Sequence, residues 1–133
     1  MTNTFTRLFT KAIILIGLFV FAVPAFAATF NNDSLDFPTL EVMNFTKSGN
    51  TNTAYSRTVN ADAGDIVTFH IYYHNTATDA AQNTRLTLSV PSNTGTTFTA
   101  SATVRADNAS TVSGSATVNL SSSQSLTLIP SSV

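Results

Sequence analysis

The 133-residue chain contains no cysteine, so no disulfide can staple the fold and stability must come from packing alone. The same absence excludes a lipid anchor, because that processing needs a cysteine at the cleavage point. In an exported protein, cysteine-free composition suits a bacterial envelope better than an animal secretome. Charge is scarce too, at 10% of residues. After the leader described below, lysine appears once, as Lys47, and glycine four times, as Gly49, Gly64, Gly95 and Gly114. No GxSxG elbow exists among them, which argues against a Ser/His/Asp hydrolase of the usual build. Beyond residue 27 no segment shows a sustained helical period.

What is present begins with a leader. Arg7 and Lys11 form a positive amino-terminal region, residues 12–23 (AIILIGLFVFAV) an unbroken apolar run, and Pro24 ends it. Ala25, Phe26 and Ala27 give the small-x-small signature of cleavage ahead of Ala28. Residues 1–27 are therefore expected to be a secretory signal peptide, helical in the translocation channel, and the protein secreted to the extracellular cell surface. An uncleaved membrane anchor is the competing reading; Pro24 cuts the run short for that role. The mature chain then carries Lys47, Arg57, Arg85 and Arg105 against seven acids, a formal charge of −3. Nucleic acid and anionic lipid are not expected partners.

The 106 residues that follow fit one small domain. Thr (19), Ser (15) and Asn (11) dominate it, a composition of β-formers and turn-formers. Period-two alternation favours strands over disorder. In residues 66–75, Val67, Phe69, Ile71 and Tyr73 share one face, with Thr68, His70, Tyr72 and His74 on the other. In 84–90, Leu86, Leu88 and Val90 are expected inward, and in 96–106, Phe98, Ala100, Ala102 and Val104. Weaker strands are predicted at 39–46, 55–59, 116–120 and 125–129, with a loop at 76–83. About seven short strands at this spacing predict an all-β, antiparallel β-sandwich over residues 39–133. Residues 28–38 form a flexible segment before it, free to tuck in or to stay loose. The chain reads as cut short at its carboxyl end, as the first module of a longer protein. If it is instead complete, the 28–38 segment and the unpaired strand edges suit donation of a strand to a neighbouring subunit.

The string Ala61-Asp62-Ala63-Gly64-Asp65-Ile66-Val67-Thr68-Phe69, then Asn75, Ala81-Gln82-Asn83 and Val90-Pro91, resembles the Ig-like conserved repeat domain of unknown function found in bacterial cell-surface and adhesin-like proteins. The likeness covers roughly residues 59–108. It departs from that family at Ser89, where an acidic residue is usual, and at Thr76, where glycine commonly follows the Asn. The resemblance implies an Ig-like sandwich serving as a stalk-like or adhesive module beside other surface-protein modules or envelope components, with no catalytic residues and no cofactor.

Three groups of residues are candidates for binding. His70, Tyr72 and His74 form an aromatic polar stripe that could stack on a sugar. On a strand the two histidines lie about 13 Å apart and cannot share one ion. Asp62 and Asp65 bracket Gly64 in a turn, and Asp33 and Asp36 form a second acidic pair, so an oxygen-rich calcium site is conceivable at either. Asx residues in turns more often bond their own backbone. The expected function is thus a non-catalytic structural or adhesive module. The alternative is carbohydrate or calcium-dependent binding through that stripe or the loops around Asp62 and Asp79. Self-association through edge strands accompanies either. Four N-x-[ST] sequons, at Asn32, Asn44, Asn108 and Asn119, arise readily by chance in such a composition.

Overall fold

A computed structural model of the chain describes residues 27–51 and 53–129. The apolar leader and Ala25 lie outside them. Within them are six strands: β1 (Leu40–Asn44), β2 (Thr58–Ala61), β3 (Val67–Ile71), β4 (Arg85–Ser89), β5 (Gly95–Ala106) and β6 (Ala109–Gln124). β1 and β3 pair antiparallel as a two-stranded sheet, and the other four form a second sheet in the order β2-β6-β5-β4. The fold is therefore all-β, in two sheets of unequal width.

The longest strands lie where alternation is cleanest. β5 and β6 form a hairpin around Asp107 and Asn108, paired from Ala106↔Ala109 out to Gly95↔Gln124, with irregularities near each end. On its inner face Phe98, Ala100, Ala102 and Val104 oppose Val118, Ala116, Gly114 and Val112. Phe98, Ala100, Ala102, Val104, Ala116 and Val118 are all buried, matching the face read from 96–106. Leu40 and Val42 of β1 and Ala61 of β2 complete this core, with Val67, Phe69 and Ile71 of β3 packed against it. A second, smaller cluster of Ala28, Phe30, Val104 and Ala109 closes the hairpin end.

Four expectations need correction. The sheets are not wholly antiparallel, because β2 runs parallel to β6 with Thr58↔Thr117 through Ala61↔Leu120 in register. The chain between them, carrying β3, β4 and β5, is long enough for the crossover that a parallel pair requires. Second, β3 stops at Ile71, short of the expected 66–75. Beyond it the backbone bonds to the amino-terminal segment instead: Tyr72 N donates to Thr39 O, Asn31 N to His74 O and Thr76 N to Thr29 O. Tyr73, placed by alternation on one face with Val67, Phe69 and Ile71, is exposed. Third, residues 125–129 form no strand, so six strands stand where about seven were expected. Fourth, Leu86, Leu88 and Val90 are not buried. Leu86 and Leu88 lie opposite Val104 and Ala102, hence on the core face, yet they are 50% and 40% exposed. The covering sheet is two strands wide and ends before β4.

Residues 28–38 divide. Ala28 and Phe30 are tucked in, at 1% and 3% exposure, while Leu35 and Phe37 stand out in solvent. Ala28 bridges Ala109, and Phe30 bridges Asn75.

The two sheets come into close contact at Gly114. A Cβ there would lie 2.7 Å from the Leu40 backbone nitrogen and 3.1 Å from Thr39 Cβ. Both are backbone-anchored neighbours that cannot swing away, so only glycine lets β1 start directly over β6. Gly95 is different: its added Cβ would meet only the Asn93 amide, at 3.6 Å. Gly114→Ala is accordingly expected to cost about 1–3 kcal/mol of stability in urea denaturation, and Gly95→Ala under about 0.5 kcal/mol. In the same assay Phe98→Ala should cost about 3–5 kcal/mol, against about 1 kcal/mol or less for Leu88→Ala.

Candidate functional site

The polar residues singled out by sequence gather around two turns of one design. In residues 33–36, Asp36 N donates to Asp33 O at 3.1 Å, and Asp33 N donates back to Asp36 Oδ2 at 2.8 Å. In residues 62–65, Asp65 N donates to Asp62 O at 3.1 Å, and Asp62 N to Asp65 Oδ2 at 2.9 Å. Each D-x-x-D turn thus closes on itself through its second carboxylate, as Asx residues do. Gly64 supplies the left-handed backbone the second turn needs (φ +86°).

The first turn brings together part of the predicted stripe. Asp36 Oδ1 accepts the Tyr72 hydroxyl at 3.0 Å and lies 2.8 Å from His74 Nδ1. The carboxylate side chain is only 6% exposed. Burial pushes the Asp36 carboxyl up, but the hydrogen bonds from Asp33 N–H, His74 and Tyr72 together outweigh it and hold the group below the ordinary carboxylate value. The Tyr72 hydroxyl moves the other way, raised by burial and by its bond to Asp36. Phe37 meets the Tyr72 ring edge-on at 5.4 Å. His70 is not part of this group; its ring lies 5.0 Å from that of Tyr55. The three-residue stripe is therefore split, because the strand that would have kept it regular ends at Ile71.

Asn31 completes the clamp. Its backbone takes a positive φ of 50°, tolerated by Asn more than by most residues. Its amide donates to Thr39 Oγ1 at 3.0 Å and to Tyr72 O at 3.3 Å, while its Oδ1 accepts His74 N at 2.8 Å. Sequence reasoning missed Asn31 and Tyr55, and it saw Asp36 only as half of an acidic pair. The same D-x-x-D spacing as at Asp62 and Asp65 was the available signal for the turn. Nothing local signalled a partner 38 residues away.

At the second turn, Lys47 Nζ lies 2.7 Å from Asp62 Oδ2 and 3.6 Å from Asp65 Oδ2. Asn44, buried on β1, donates to Asp65 Oδ2 at 2.7 Å and to Asn60 O at 3.0 Å. The bond to Asp62 is the main cause of a raised Lys47. Asp62 is lowered chiefly by Lys47, and Asp65 chiefly by the Asp62 N–H, then by Asn44. The predicted calcium ligands are thus brought together around an ammonium. Among the described residues no group of three or more His, Asp or Glu side chains converges as a metal cluster.

An open groove of about 460 Å³ runs beside the first turn between the amino-terminal segment and β6; Asp33, Phe37, Arg57, Ser113 and Ser115 line it. Phe37 is 60% exposed there.

Asp36, Asp62 and Asp65 all sit below the unfolded carboxylate value of 3.8. A lowered folded pKa means that the unfolded chain binds more protons in the acid range, so stability rises with pH there. Their contribution is complete above the unfolded value and is lost as pH falls through the folded ones. Thermal midpoints are expected to stay level from pH 7 to about 5 and to fall below about 4. Asp36→Asn should lower the midpoint at pH 7 and flatten that acid limb. An unchanged limb in the variant would count against the clamp. Compared with protein-family models, with curated proteins and with solved structures, the chain returns no match.

Proposed function

We propose that the chain is an exported, non-catalytic structural or adhesive module of a bacterial cell-surface or extracellular protein, folded as an Ig-like β-sandwich. The observation that carries this is the engagement of its reactive polar groups by the fold. Asp36, Tyr72 and His74 bind one another across the amino-terminal clamp, and Asp62 and Asp65 bind Lys47 and Asn44. Groups held this way tie segments together and offer no free nucleophile–base pair. Export rests on the leader. In the mature chain Ala28 becomes the amino terminus, and its nitrogen already donates to Asn108 O at 3.0 Å, a bond that a free ammonium retains. Other surface-protein modules or envelope components are the partners of such a module.

Carbohydrate binding is the second reading, and one observation favours it. Phe37 presents an exposed ring at the rim of a groove carrying Asp33, Arg57 and two serine hydroxyls, the mix of aromatic platform and hydrogen-bonding groups that sugars require. On this reading the sugar binds beside Phe37 and not on the stripe of His70, Tyr72 and His74.

Fractionation of the source cell with amino-terminal sequencing tests the first reading. Ala28 is expected as the first residue of protein outside the membrane; an intact Met1 end embedded in the membrane would overturn it. A glycan panel tests the second. Saturable binding that weakens about tenfold, equivalent to about 1.4 kcal/mol, in Phe37→Ala would establish it, and no binding to any glycan would remove it.

A further inference from the structure

The four bases that follow the leader are unevenly placed. Lys47 is taken by Asp62, and Arg57 stands at the groove beside Phe37. The other two, Arg85 and Arg105, are direct partners across the β4–β5 ladder. The register of β5 with β6 shifts between Val104 and Ala106, so among the described residues Arg85 is the one cross-strand partner in register with Arg105. Directly opposed residues of an antiparallel pair point to the same side, with Cβ atoms about 5 Å apart. The two guanidinium groups therefore leave one face together, and both residues are exposed.

Like charges placed this way repel. Neither guanidinium makes a hydrogen bond or ion pair among the described residues. The carboxylate nearest in sequence, Asp107, accepts the Asn83 amide at 2.7 Å instead. Two unpartnered cations thus stand side by side in a mature chain where four bases meet seven acids. Each guanidinium fork matches two oxygens of a carboxylate, sulfate or phosphate group. One such group seated between them would replace the repulsion with attraction to both.

The surface that continues from the pair is built of hydroxyls. The next row is Thr87 opposite Thr103, and the one after it Ser89 opposite Ser101, at about 6.6 Å per step of two residues. Further along, the Thr99 and Thr117 hydroxyls lie within 3.2 Å of each other. Leu86, Leu88, Phe98 and Val104 lie on the core side of these strands, so alternation leaves the outer side without large apolar groups.

We propose that this outer face binds an anionic polysaccharide: Arg85 and Arg105 grip one of its acid groups, and the hydroxyl rows meet its sugar hydroxyls. A saccharide suits the face better than other polyanions. A protein that lies on a membrane sinks apolar side chains into it, and this face has none to offer. Nucleic acid is held by tracts of bases and by aromatic platforms for its rings, and the face carries two bases and no aromatic ring. Rows of neutral hydroxyls beside a single cationic grip match a polymer that is mostly hydroxyl with an acid group at intervals.

The inference gives the adhesive-module reading a ligand class and rests on that reading, but the two fail separately: an exported domain that binds no polyanion would remove the site and leave the spacer role standing. Mature protein is titrated with dextran sulfate and with neutral dextran of the same length by calorimetry. Dextran sulfate is expected to bind saturably, and less tightly as salt rises; neutral dextran should bind far more weakly. Arg85→Gln and Arg105→Gln should each weaken binding about tenfold or more, without lowering the thermal midpoint of the free protein, because each removes one member of a repelling pair. Arg85→Glu, which sets opposite charges across the ladder, should keep the fold and abolish binding. Ala54→Glu, in the exposed loop before β2, changes the net charge by the same single unit as the glutamine variants and should bind as the unmodified protein does. No binding to dextran sulfate, equal binding to neutral dextran, undiminished binding by the arginine variants, an equal loss in Ala54→Glu, or tighter binding to phosphatidylglycerol vesicles than to dextran sulfate would overturn the proposal.

Discussion

Every other element of this protein is placed by the pairing of β5 with β6. The hairpin offers two free edges and one apolar face, and each is used in turn. β4 takes the β5 edge and β2 the β6 edge. β1 and β3 lie across the face, where alanines at 100, 102 and 116 and glycine at 114 keep the surface low. The turn at Asp107 and Asn108 anchors what remains. Asp107 N donates to Gln82 O and Ala28 N to Asn108 O, while the Asn108 amide bonds the backbone at Ala80 and Gln82. A long antiparallel ladder is the most cooperative unit available to a chain without disulfides, since each pair it forms brings the next into register.

Unequal sheet width follows from this arrangement and sets the character of the surface. Four strands below and two above leave β4 without a lid, so leucines patterned for a core face solvent. Isolated apolar side chains are ordinary on a protein surface. Leu86 and Leu88, on the core side of an edge strand and followed by the exposed Val90, form a continuous apolar row instead.

The acidic turns work in the opposite direction, closing gaps rather than leaving them. Asp36 fixes residues 29–39 to residues 72–76 with a nearly buried carboxylate, and Asp65 joins β1 to the loop before β3 through Asn44. In both places a carboxylate is stabilised by accepting two or more hydrogen bonds, which offsets the cost of removing it from water.

Local pattern was enough to determine the all-β class, the position of β5 and its buried face, and the turn at Asp62 to Asp65. Alternation and Asx turn formation act over neighbours that the sequence places side by side. Tertiary structure decided the rest. Whether Leu86 and Leu88 are buried depends on how far the opposite sheet extends, and no residue of β4 encodes that. The parallel pairing of β2 with β6, the splitting of His70 from Tyr72 and His74, and the capture of Ala28 and Phe30 by the hairpin all join segments far apart in sequence. So does the bond from Asp36 to His74. Such contacts form only when an already folded surface offers a partner, because the entropy of closing a long loop must be recovered by packing that no single segment carries.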